Sequence, residues 1–150
     1  MQSLFFSYYC TMVEAKSAAF KFKGFKIPTF SYDESGKSGS SLLLNFVPSG
    51  KYSQKDGVFE LTLEMFGCED GNKEKQIIYI KCISYFEFKK DLPFIDIPGY
   101  FYKNAIAIVF PYIRSFSSTL TLQANSTLLI LGLMNLSNLE APLIKNTVSE

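Results

Sequence analysis

Between Phe59 and Met65 the side chains alternate without a break, Phe59, Leu61, Leu63 and Met65 against Glu60, Thr62 and Glu64. Successive side chains of an extended chain point to opposite faces, so this stretch belongs in a sheet with one dry side and one wet side. A dry face needs a cover. The rest of the chain is read from that demand: what extends the sheet, and what lies across it.

Ala19 to Ile27 alternates too, with Phe20 and Phe22 opposed to Lys21 and Lys23. After Gly24 the apolar phase moves to Phe25 and Ile27, as one extra residue in a strand requires, and Gly24 is the natural place for the bulge. Residues 32–40 (YDESGKSGS) carry too little apolar content to pack and read as a loop. Leu42 to Val47 is a second strand, expected to stop at Pro48-Ser49-Gly50. After Met65, Glu69-Asp70-Gly71-Asn72-Lys73 supplies a hairpin turn. A fourth strand follows from Gln76 to about Phe88, with Ile78, Ile80 and Cys82 on one face and Tyr79, Lys81 and Ile83 on the other. Four strands joined by short polar turns predict an antiparallel sheet with one side free for a helix.

That helix should begin near Asp96-Ile97-Pro98, since proline in a first helical turn costs no hydrogen bond. Phe101, Ala105, Ile108 or Val109, Tyr112, Phe116 and Leu120 then recur at helical spacing. Pro111 interrupts the pattern and costs about 3 kcal/mol inside a helix, so a kink or a junction of two segments is expected there. Ser117, Ser118, Thr119 and Thr121 are mediocre helix formers, so this end should owe its helicity to tertiary packing. Leu128 to Leu133 is a short apolar run, read as an extended crossover or a buried strand, and Asn135 to Leu139 begins a short final helix. The expected organisation is an appendage at 1–17, one α+β domain at 18–140 and a loose tail at 141–150. Its fold class is α+β: a four-stranded antiparallel sheet under one long kinked helix and a short C-terminal helix.

Several functions are disfavoured by composition. With 15 Lys and Arg against 14 Asp and Glu, net charge is +1, and no broad basic field exists for nucleic acid. Lys16, Lys21, Lys23 and Lys26 alternate with aromatics and read as the wet face of a strand. The absence of histidine removes the commonest general base and a favoured metal ligand together. Cys10, Cys68 and Cys82 have no metal-type or disulfide spacing, which predicts a reducing, cytoplasmic setting. Cys82 reads as an inert buried thiol, and the loop pairs Asp33 with Glu34 and Glu69 with Asp70 offer only low-grade cation ligands. No enzyme activity, cofactor or metal is therefore expected. No signal peptide is expected, and no uninterrupted apolar run reaches the ~18 residues of a membrane span. The aromatic share of 16%, from 15 Phe and 9 Tyr, is high for 150 residues, so some rings should line a groove or a subunit contact.

The run Ile108-Val109-Phe110-Pro111-Tyr112-Ile113-Arg114, followed by a Ser/Thr-rich helical stretch, an apolar segment at Leu129 and Leu131 and the step Asn135-Leu136, resembles the SecB family of bacterial export chaperones. The four strands upstream fall in the family's order and spacing, so the similarity covers residues 18–139. Ala124 stands where the family has a loop glycine, and Thr127 and Leu133 where it has prolines.

The resemblance implies a homotetramer, a dimer of dimers, acting as an ATP-independent holdase for unfolded preproteins bound for export. It also implies SecA as a candidate partner, although near-neutral charge and a short tail speak against that docking. An alternative client within the family is the antitoxin of a toxin–antitoxin system, and outside it the aromatic surplus would suit a carrier of small hydrophobic ligands. The candidate client-contact residues are Phe22, Phe25 and Ile27 on the first strand, Leu42 and Leu44 on the second, and Leu133, Leu136 and Leu139 near the tail. For each, core packing is an equally available role. Phe110, Pro111, Tyr112 and Arg114 are assigned to structure or to an oligomer seam.

Overall fold

The computed structural model describes residues 18–36, 41–127, 129–132 and 134–150. In chain order the elements are β1 (Lys21–Tyr32), β2 (Leu42–Ser53), β3 (Val58–Glu69), β4 (Asn72–Glu87), α1 (Tyr100–Gln123), α2 (Glu140–Lys145) and β5 (Thr147–Ser149). The sheet order is β1-β4-β3-β2-β5, with the first four strands antiparallel and β5 running parallel to β2. The sheet is thus five-stranded and mixed, not four-stranded and antiparallel. Residues 141–150, expected as a loose tail, supply most of α2 and all of β5. Three residues cannot display an alternating period, and β5 is held by main-chain groups that composition does not register: Gly50 N–H donates to Asn146 O at 3.2 Å and Glu150 N–H to Tyr52 O at 2.8 Å. The appendage proposed at 1–17 lies outside the described residues.

The predicted alternation is realised. Phe59, Leu61, Leu63 and Met65 of β3 and Ile78, Ile80, Cys82 and Phe86 of β4 are all fully buried on one face. Gly24 has φ +112°, and the β1–β4 register slips between Phe22 and Phe25, so the bulge sits where the phase change placed it. β2, however, continues through Pro48 to Ser53. The Pro48 carbonyl accepts a bond from Asn146 Nδ2 on the side away from β3, so the missing proline N–H also falls on that outer side and no ladder bond is lost.

The cover is α1, one unbroken helix through Pro111. Its buried residues are Phe101, Tyr102, Ala105, Ile106, Val109, Phe110, Ile113, Ser117 and Thr121, so Val109 is fully buried while Ile108 packs at the margin of the core, and Pro111 lies on the exposed side. By length and composition alone α1 could cross a bilayer, with a most apolar window of mean hydropathy 1.3. Its apolar face instead closes over the sheet. Phe101 is the hub of the core, with ring centroids within 4.8–5.3 Å of Phe20, Phe59, Phe86 and Phe88.

The Ser/Thr stretch has a specific tertiary task. Thr121 Oγ1 donates back to Ser117 O at 3.0 Å and accepts the Leu129 N–H at 2.9 Å, while Ser118 Oγ donates to Leu129 O at 2.9 Å. Both main-chain groups of Leu129 are therefore pinned to the end of α1. Beyond it Leu131 is buried, and residues 134–139 lie beside β2 before α2 begins.

Candidate functional site: a slot on the β2 edge

The candidate client residues separate onto the two edges of the sheet. On the β1 side the Gly24 bulge leaves both Phe22 and Phe25 facing α1, paired with Phe86 and Ser84 of β4. Tyr112 stacks on both, at 5.6 Å from Phe22 and 4.2 Å from Phe25. Phe30 meets Phe116 edge to face at 5.0 Å. Ile27 is half-buried and packs on the core. These rings fasten β1 to α1, yet Phe25 and Phe30 stay 41% and 50% exposed.

On the other side, Leu42, Leu44 and Phe46 alternate onto the dry face of β2, and the crossover passes beside them. Between the two lies an open slot of about 380 Å³, lined by Leu44, Asn45, Phe46, Met134, Asn135, Leu136, Asn138 and Leu139. It is continuous with a hollow of about 240 Å³ along α1, floored by Phe110 and Ile106 and sharing Met134, Asn135 and Leu136. Leu44 of β2 thus meets Leu136 and Leu139 of the segment leading into α2, with Leu139 itself buried in the core. Leu42 stands at the strand's entrance, and Leu133 is outside the described residues. Phe46 and Met134 were not among the sequence candidates; Phe46 was legible as the next member of the Leu42, Leu44 alternation. Phe46 packs edge to face on Phe110 at 5.8 Å, which places Phe110 beneath the slot.

The lining is uncharged apart from Lys103 at the far end of the hollow. Its three asparagines offer amide hydrogen bonds without selecting a sign of charge. The backbone adds a second element. Pro48 O, Gly50 N–H and Tyr52 O point outward from β2, so by the two-residue period the groups of Leu44 and Phe46 do as well. Among the described residues no strand pairs with that stretch. A trough of mixed apolar and amide lining beside an unpaired edge is an arrangement that can accept an extended polypeptide, with main-chain bonds along it and alternate side chains against its apolar wall.

Of the other interface candidates, Pro111 and Arg114 line a shallow trough of about 470 Å³ with Ser115, Ser118, Thr119, Leu122 and Ile130 on the outward side of α1. Leu122 and Ile130 are 61% and 67% exposed there.

The titratable groups offer little reactivity. Burial pushes the Cys82 thiol up to about 11. Tyr79 is pushed up to about 12, by burial first and then by its 2.5 Å bond to Glu64 Oε2. No cluster of three His, Cys, Asp or Glu able to hold a metal exists among the described residues.

No family model matches the chain, and no curated protein matches it. Among solved structures it is similar to the SecB-like chaperone Rv1957 of Mycobacterium tuberculosis, determined in complex with a ChAD peptide from the HigA1 antitoxin Rv1956. The two share 12% identity over 78% of this chain and 88% of that one, with a TM-score of 0.64, and what that likeness shows is a common SecB-like fold.

Proposed function

We propose that this protein is a SecB-like chaperone that holds extended, apolar polypeptide segments in the slot between β2 and the crossover. The observation that carries the reading is the convergence of Leu44, Phe46 and Leu136, backed by the buried Leu139, beside a stretch of β2 that has no strand partner among the described residues. Apolar burial and main-chain hydrogen bonds together supply the grip, so no nucleotide is invoked. Three or four client side chains at about 1.5–3 kcal/mol each supply about 4.5–12 kcal/mol before the cost of association and of ordering the client, so a single slot binds weakly, at best near micromolar. Repetition of the slot in a homotetramer, which the resemblance implies, would raise avidity for a long unfolded chain.

Two kinds of client fit that site: an unfolded preprotein on its way to export through SecA, and an antitoxin segment. The peptide held by Rv1957 favours the second, as does the near-neutral charge of this chain. A cytoplasmic location goes with either. A small hydrophobic ligand would fill the slot without using the strand edge, and so leaves half of the site unexplained.

The test is suppression of aggregation. At stoichiometric amounts without ATP, the protein should prevent light scattering by a denatured substrate, and Leu44→Asp with Leu136→Asp should abolish the effect while leaving the circular dichroism spectrum intact. Unchanged scattering with the wild-type chain defeats the chaperone reading. Saturable uptake of a fatty acid by that same chain would then favour a carrier.

A further inference from the structure

The slot is only one half of the β2 edge. Outward main-chain groups recur at every second residue of β2, and beyond Pro48 they are taken up by residues 146–150. The occupant there is β5, whose Thr147, Val148 and Ser149 pair in parallel with Gly50, Lys51 and Tyr52. Gly50 makes this approach possible, because a Cβ at that position would collide with the Phe59 ring and Thr147 Oγ1.

β5 is lightly held. None of its side chains is buried, and Val148 is 60% exposed. Its end is fixed by the one ion pair among the described residues, Lys51 Nζ to Glu150 Oε1 at 2.9 Å, with both side chains more than half exposed. The preceding helix α2 has its own anchor in Leu143, sealed in the core, and is tied to β5 by Thr147 Oγ1, which donates to Leu143 O at 2.6 Å. A short strand with exposed side chains and few bonds sits at the low end of local stability.

We propose that β5 is a displaceable latch: an extended apolar client that fills the slot continues along β2 by taking the place of β5 at Gly50–Tyr52. This rests on the slot being the client site. The occupant is specified by continuity, because the edge that is open at Leu44 and Phe46 is the same one that already accepts a strand four residues further on, at Gly50. Pro48 marks the junction and asks for no acceptor from either occupant.

The experiment compares the full chain with a variant lacking residues 147–150, using a dye-labelled polypeptide kept unfolded by reduction and carboxymethylation. Deletion should tighten binding about three- to tenfold. Lys51→Glu, which leaves the main chain whole, should tighten it about twofold, because exposed ion pairs are weak, and Lys51→Glu with Glu150→Lys should restore the wild-type value. Amide exchange at Glu150 should accelerate when the full chain is saturated with the polypeptide. If the full chain binds but deletion leaves affinity unchanged or lower, or exchange at Glu150 is unaffected by client, β5 is a permanent clasp and the latch is refuted while the slot stands. If neither chain binds the polypeptide, the slot reading falls and the latch with it.

Discussion

The two sides of the sheet present apolar surface in different states of readiness. At the β1 side the rings of Phe22, Phe25 and Tyr112 are stacked on one another, so each exposed face is backed by an aromatic neighbour already in contact. Along β2 the aliphatic side chains of Leu44 and Leu136 stand across a gap, and the main chain between them has no strand partner among the described residues. Exposure alone does not separate them. Nor does the bare main chain, since the outer edge of β1 is also unpaired among the described residues; what does is whether the side chains have already satisfied their own contacts, because rings that stack internally gain little from a visitor whereas a gap still gains area.

The largest expected effect tests that difference directly. Leu136→Asp places a charge where a client must exclude water, and burying it unpaired costs several kcal/mol, so client affinity should fall about a hundredfold. Phe25→Ser, at the stacked edge, should change it no more than about threefold. Titration of both variants with the labelled unfolded polypeptide decides the matter, and a reversed order would move the binding site to β1.

Much of this was readable before any coordinates. The alternation of β3 and β4, the bulge at Gly24 and the span of α1 are local patterns, each carried by side chains within one element. The slot was half readable: Leu44, Leu136 and Leu139 could be named from hydrophobicity, but not their grouping apart from Phe22 and Phe25, which depends on the strand order β1-β4-β3-β2. β5 was beyond reach, because its stabilising groups are main-chain atoms and an exposed ion pair. Pro48 misled, since whether a proline ends a strand depends on which side its absent N–H would face.

The next effect concerns the crossover wall of the slot. Thr121→Val keeps the side-chain shape but leaves the Leu129 N–H without its acceptor, and should cost about 1–3 kcal/mol in denaturant unfolding. Amide exchange at Leu129 should rise well above the increase expected from the stability loss alone. An unchanged exchange rate would mean the crossover is held by Leu131 burial rather than by the helix end.

Loosening the opposite edge should cost less. Tyr112→Leu retains apolar bulk while removing both ring stacks, and should lower stability by about 0.5–1.5 kcal/mol, read as a fall in melting temperature. Client affinity should stay within about twofold, because the β2 wall is untouched. A large loss of affinity with little loss of stability would show that the ring cluster belongs to the binding surface.

The smallest perturbation uses the two described cysteines as reporters of how firmly the β2 side is closed. Cys82 is fully buried in the middle of β4, opposite Leu63, and burial holds its thiol near 11. A thiol attacks as the thiolate, so even a reagent that reached Cys82 at neutral pH would meet about one reactive group in ten thousand. Its modification should therefore track global unfolding. Cys68 lies toward the β2 side, 9% exposed, with Sγ 3.8 Å from Leu43 O, and parting of β2 from β3 at that end suffices to expose it. Mass-spectrometric mapping after timed alkylation should find Cys68 modified well before Cys82, and faster still in the variant lacking residues 147–150 if release of β5 loosens the whole of β2. Equal rates at both thiols would mean that the sheet opens as a single unit, and the contrast between a settled edge and a ready one would then end at the side chains.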